Sequence, residues 1–275
     1  MPSRSTTRTL HDRLFKEFLH RFLPEFLRLF FPEQAARLDF STLTFPEKEF
    51  IVNLPGQVLR ISDVVAEVET LTGNDEVIVV HVEVEARDKK TLPHRMFEYY
   101  AMLRILRQRP VLPMALVLVP GTDGVGWHTY IESLFGEELV VFRYGRVGLC
   151  DLPSTEYVYR GDPVAATLSA LMKSARGERA VVKLTGLHTV IDSELSPGDK
   201  MFLINLIQIY LPKEEIAMDG VSVDVRQDLA EIELSWGERF EQRGKIEGKI
   251  EGKREGKLEG KLEGKLEGKI EGKRE

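Results

Sequence analysis

Residues 111–120, VLPMALVLVP, are apolar at almost every position. The run is too short for a core helix and leaves no polar face, so it reads as a strand buried on both sides and parallel to a neighbour. Such a strand needs a sheet around it and helices on its faces. The segments before it supply both. Residues 76–86, EVIVVHVEVEA, are β-branched with period-two alternation toward their end, which reads as a central strand. A helix is expected from about Pro93 to Arg109, with Pro93 in the first turn where a missing N–H is harmless.

Upstream, TLHDRLFKEFLHRFLPEFLRLFF (residues 9–31) repeats apolar side chains at helical spacing, with Pro24 as a kink or break. Residues 49–70, EFIVNLPGQVLRISDVVAEVET, turn to β-formers, and Pro55-Gly56 reads as a turn between two short strands. The order helix, two strands, third strand, helix, strand describes an α/β core: one mixed sheet flanked by helices. Two more strands are expected from Glu137 to Tyr159, ELVVFRYGRV and STEYVYR. Helices near 163–175, 199–211 and 224–243 then form an accessory region. The expected organisation is a core over 1–160, a helical region over 161–243 and a repeat tail over 244–275.

The tail is eight tandem copies of Gly-Lys-X-Glu. In a helix this period overshoots the turn by about 40° per repeat, stacks like charges four apart and places a glycine costing about 1 kcal/mol in every copy. It reads as a solvated low-complexity extension, helical or disordered. A glycine column at a period above 3.6 also permits right-handed self-association.

The net charge of −6 argues against a protein that coats nucleic acid. The tail holds ten basic and eight acidic residues, which leaves 28 basic against 36 acidic in the body, so any DNA-binding surface is a patch. One cysteine, Cys150, rules out an intramolecular disulfide and a cysteine-rich metal centre and fits a reducing cytoplasm. No secretory leader is evident and no stretch is apolar enough to span a membrane, so a soluble protein is expected. His81, His94, His128 and His188 lack zinc-helix spacing and read as structural or surface residues. Gly121, Gly124 and Gly126 read as a flexible turn without the Gly-Lys-Ser/Thr ending of a phosphate loop, and neither Ser62 nor Ser133 has a nucleophile-elbow context.

The constellation that carries chemistry is Ile61-Ser62-Asp63 on one strand, then His81-Val82-Glu83-Val84-Glu85 on the next. Residues two apart on a strand share a face, so Glu83 and Glu85 project together, and Asp63 on a neighbouring strand can reach them. Such carboxylates form an oxygen-rich site suited to Mg²⁺ or Mn²⁺ beside a phosphate. The bland reading is acid alternating with valine on a half-exposed strand, as at Glu67 and Glu69.

HDRLFKEFL, then Asp63, then HVEVEARDKKTLPHRMFEYYAMLR resemble the recombination-promoting nuclease family, also described as the YhgA-like transposase family, within the PD-(D/E)XK superfamily. The resemblance covers roughly residues 10–120, and a Gly-Lys-Glu tail is also familiar from that family. It implies a restriction-endonuclease-like fold, DNA cleavage with a divalent ion, and Asp63 and Glu83 as metal-binding carboxylates. Glu85 falls at the third motif position, where the superfamily has Lys and this family often Gln. It reads as an extra metal ligand, a base for water, or a mark of lost activity. Arg95 and Tyr99, four apart on the following helix, share a face for phosphate contact, with an ordinary surface arginine and a core-edge aromatic as the plainer reading. Lys16, a further phosphate-binding candidate, and Glu17, an ancillary acid, stand on the first helix, where Glu17 otherwise reads as solvated.

The leading reading is a metal-dependent endonuclease, with a homodimer plausible because cutting both strands usually takes two sites. The other is a catalytically silent relative that binds DNA or protein and assembles through the tail. A literal transposase has less support, since neither a helix-turn-helix with a basic recognition helix nor a widely spaced acidic triad is evident.

Overall fold

The computed structural model describes residues 4–46, 50–54, 57–61, 64–71, 77–85, 90–175 and 177–211. All fall in one compact unit, Met1–Ile216; the other, Ala217–Glu275, lies outside the described residues, and with it the helix expected near 224–243 and the repeat tail.

The elements run α1 (Arg4–Phe30), α2 (Pro32–Ala35), β1 (Leu38–Thr44), β2 (Phe50–Leu54), β3 (Gln57–Ile61), β4 (Val64–Thr70), β5 (Val77–Glu85), α3 (Leu92–Arg107), β6 (Val111–Val117), β7 (Val125–Leu134), β8 (Glu137–Gly148), α4 (Ser154–Val158), α5 (Pro163–Leu168), α6 (Arg179–Ile191) and α7 (Pro197–Tyr210). Six strands form one mixed sheet in the order β1-β4-β5-β6-β8-β7, and β2-β3 is a separate hairpin. The mixed sheet flanked by helices is thus as expected. β5, β6 and β8 are parallel, while β4 and β1 on one side and β7 on the other are antiparallel to their neighbours. β6 lies between β5 and β8, and its residues from Pro113 to Val117 are buried, which accounts for its lack of a polar face.

α3 is the crossover that two adjacent parallel strands require. Its buried residues Leu92, Met96, Tyr99 and Leu103 recur every three or four positions, and Pro93 sits in its first turn. It ends where Gln108 turns left-handed (φ 53°) and its N–H donates to the Arg104 carbonyl at 3.1 Å. α3 covers the face carrying Val79, His81, Glu83 and Glu85, with Ala115 and Val117 beside them on β6. On the opposite face Gly145 of β8 pairs with Met114 of β6, and a side chain at Gly145 would strike Met114 and Phe31. That absence seats the chain after α1 against the sheet.

α1 bends at Phe22 (φ −129°, ψ 27°), two residues before Pro24, as a helix-interior proline demands. Its buried stripe of Phe15, Phe18, Phe22, Phe26 and Phe30 meets the C-terminal helices: Phe15 lies 6.0 Å from Tyr210, Phe22 6.4 Å from Phe202 and Phe30 5.9 Å from Tyr157 between ring centres. α5 and α7 each begin Ser/Asp-Pro, with Asp162 accepting from the Ala165 N–H at 2.7 Å and Ser196 from the Asp199 N–H at 3.2 Å.

Four local readings are corrected. STEYVYR is not a strand: Ser154–Val158 is α4, burying Ser154, Tyr157 and Val158 at helical spacing. The stretch 49–70 makes three strands in two sheets rather than two. The helix α6 and the strands β1 and β7 add to those expected. The glycine turn covers only 121–124, since Gly126 stands in β7 opposite Arg146, and it is anchored: the Asp151 carboxylate accepts from the backbone N–H groups of Gly121 (2.8 Å) and Thr122 (2.5 Å) and from the Thr122 hydroxyl (2.9 Å).

Candidate functional site

β5 is paired along its length with β6, down to Glu83 opposite Ala115 and Glu85 opposite Val117, and the Leu118 N–H donates to the Glu85 carbonyl at 2.8 Å. On the other side β4 begins at Val64, opposite Val82, so Glu83, Val84 and Glu85 run past its start. The acidic pair therefore stands where two adjacent parallel strands, β5 and β6, reach their C-terminal ends.

Strand alternation puts His81, Glu83 and Glu85 on the face that α3 covers. Residue exposure is 0%, 5% and 6% respectively. Two carboxylates so deeply buried need a compensating charge, and Arg95 in the first turn of α3 supplies it. Its Nη2 donates to Glu85 Oε2 at 2.5 Å and lies 3.3 Å from Glu83 Oε1, forming one guanidinium bridge across both acids. Burial disfavours the charged guanidinium, but the hydrogen bond to Glu85 and the charges of Glu83 and Glu85 more than offset it, and the Arg95 pKa is raised. The Arg95 side chain remains 31% exposed, so the bridge borders on solvent.

His81, which the sequence marks as a structural or surface residue, is fully buried. It lies beneath the pair, with Nε2 3.9 Å from Glu83 Oε2 and its ring edge-on to Tyr99 at 5.5 Å. The period-two spacing His81-Glu83-Glu85 carries that placement. Tyr99 shares the Arg95 face of α3 but is buried, packed with Val65, Val79 and Leu103. The first-helix candidates are placed elsewhere: Lys16 is half-buried and Glu17 exposed, and Glu17 pairs with Arg21 at 2.6 Å while Arg21 reaches Asp199 of α7 at 3.0 Å. Asp63 lies outside the described residues, between β3 and β4. Among the described residues no group of three His, Cys, Asp or Glu is placed to hold a metal ion, and no helix is long and apolar enough to cross a membrane.

A buried acidic pair bridged by an arginine, at the carboxyl ends of parallel strands in a helix-flanked mixed sheet, defines the class as an α/β protein with a buried charged cluster. Residues 9–118, which run from α1 through β6 and hold this whole arrangement, match the family model described as "Putative transposase, YhgA-like", the family the sequence resembles. No curated protein and no solved structure matches the chain significantly.

Proposed function

We propose that the protein is a divalent-metal-dependent DNA endonuclease of the PD-(D/E)XK type, restriction-endonuclease-like in fold, acting in recombination or in the movement of mobile elements. One observation carries the reading: Glu83 and Glu85 lie side by side and buried at the end of β5, with a cationic group already seated between them, inside the stretch that matches the family.

The donor set fits a hard ion. Glu83 and Glu85 offer carboxylate oxygens only, and a Mg²⁺ or Mn²⁺ site takes one or two carboxylates and keeps its other positions for water and phosphate. The guanidinium marks the place as one where positive charge is stabilised. Glu83 and Asp63 are the residues assigned to hold the ion, with Glu85 as a further ligand or as the base for water. Such an ion supplies an acidified water and a positive charge beside the phosphoryl oxygens. Arg95, whose side chain is 31% exposed, would take a phosphate oxygen of DNA.

The test is nicking of supercoiled plasmid by the full chain with Mg²⁺, Mn²⁺, Ca²⁺ or EDTA, run beside Asp63→Ala and Glu83→Ala. Metal-dependent nicking by the parent, lost in both folded variants, is expected. Undiminished cleavage by either variant would sink the proposal.

A second reading is favoured by the same bridge. An arginine bound to both acids, together with Glu85 in place of Lys or Gln, also suits a catalytically silent relative that binds DNA or protein and assembles through its tail. It predicts no cleavage with any ion and a smaller assembly in sedimentation once residues 244–275 are deleted. Metal-dependent cleavage, or an unchanged assembly state after truncation, counts against it.

A further inference from the structure

Arg95 holds the acidic pair through a contact that a metal ion at the same carboxylates would oppose. Arg95 Nη2 touches one oxygen of Glu85 and approaches one of Glu83, and these carboxylates are the hard donors a divalent ion would take. Guanidinium and metal ion carry charge of the same sign and compete for the same two carboxylates, and at contact distance in a buried site their repulsion is strong. Together they would set three positive charges against two carboxylates, so the ion and the Arg95 contact oppose each other.

Arginine cannot yield by losing its proton, because a guanidinium stays charged throughout the range in which proteins fold. It can yield by moving. Arg95 is the fourth residue of α3, its side chain is 31% exposed, and rotation of that side chain into solvent leaves buried Leu92, Met96 and Tyr99 in place. The acids lack this freedom: Glu83 and Glu85 are fixed on a central strand paired with β6.

We infer that Arg95 is the resident counter-cation of the acidic pair: it neutralises Glu83 and Glu85 in the metal-free protein, and a divalent ion binds by displacing it. The inference rests on the metal-site reading above. It also gives Glu85 a role. A Lys at that position would repel Arg95 and a Gln would hold it less strongly, whereas Glu85 makes the shorter of its two contacts. Arg95 is thus a positioning residue that sets the metal affinity of the site and is released toward solvent when the metal enters.

The experiment is Mn²⁺ titration of the full chain in the absence of nucleic acid, following free Mn²⁺ by its electron paramagnetic resonance signal, for the parent, Arg95→Met and Arg95→Lys. Circular dichroism verifies the fold of each. Arg95→Met is expected to bind Mn²⁺ about tenfold tighter or more, the order set by losing one charge-assisted hydrogen bond. Arg95→Lys, a point charge that cannot lie across both carboxylates, should fall between. The melting temperature supplies a second readout: Mn²⁺ should raise that of Arg95→Met more than that of the parent. Should Arg95→Met fail to fold without metal, the Lys variant carries the comparison. Equal or weaker Mn²⁺ binding by the folded variants overturns the inference and leaves the metal-site reading standing. Absence of Mn²⁺ binding to all three proteins overturns both.

Discussion

Arg95 and Glu85, ten residues apart, meet at 2.5 Å across the connection from β5 to α3, so the first turn of the crossover helix is fastened to the end of the central strand. The fastening joins the fold to the candidate site. α3 is already held by Leu92, Met96, Tyr99 and Leu103, and it carries the guanidinium to a fixed point over the acidic pair.

Removing that charge leaves Glu83 and Glu85 buried together without it. Breaking a buried ion pair from one side costs several kcal/mol, less where one partner reaches water as Arg95 does, so Arg95→Ala is expected to lose about 2 kcal/mol. Urea unfolding in EDTA measures this, and an unchanged midpoint would show that the bridge does not stabilise the fold.

Much of this arrangement could be read from side-chain periodicity. β6 was legible because strand burial on both faces erases alternation, and α3 because its apolar residues recur at helical spacing after a well-placed proline. Glu83 and Glu85 share a face by the geometry of a strand alone. The rest depended on packing. β7 is an edge strand whose residues are mostly exposed, so it lacks a clean apolar stripe. α4 and α6 are written in residues that favour strands, and α6 also contains Gly186; burial of one face against neighbouring helices overrides that preference. The reach of Arg95 into the acidic pair depends on where the crossover helix settles, a distance that no spacing rule contains. Asp63 falls outside the described residues, so its place beside Glu83 stays a sequence expectation.

His128 gives a pH dependence. It stands on β7 opposite Tyr144, and burial first, then the charge of Arg146, lowers its pKa, with Asp123 acting the other way. The unfolded chain then takes up its proton before the folded one. Stability from this group is full above the ordinary histidine pKa of about 6.5 and is lost as pH falls through the lower folded value. Urea stability at pH 7.5 and pH 5 should therefore drop less in His128→Gln than in the parent; equal drops would remove His128 as a contributor.

The β7–β8 turn carries strain that a substitution should relieve. Phe135 and Gly136 both have positive φ (55° and 86°) between the paired Leu134 and Glu137, which is the two-residue hairpin turn that favours Asn-Gly. A bulky residue pays about 1 kcal/mol there, and Phe135 recovers nothing by packing because it is 96% exposed. Phe135→Asn should raise stability by about that amount, seen as a melting temperature about 2–4 °C higher. No rise would mean that the Phe135 ring is held by a contact in solution.

Gly145 tests the opposite case, a glycine required by close approach. A Cβ there would stand 2.5 Å from Met114 Sδ and 2.8 Å from the Phe31 ring, both on the face opposite α3. These are side-chain atoms, so the contact can be relieved only by moving Met114 within the central sheet or Phe31 out of its seat after α1. Gly145→Ala should cost about 1–3 kcal/mol, the usual penalty for overpacking a filled core. Because Glu83 and Glu85 lie on the other face, Mn²⁺ affinity should be unchanged in the folded variant, and a matching loss of both would show that the two faces of the sheet are coupled.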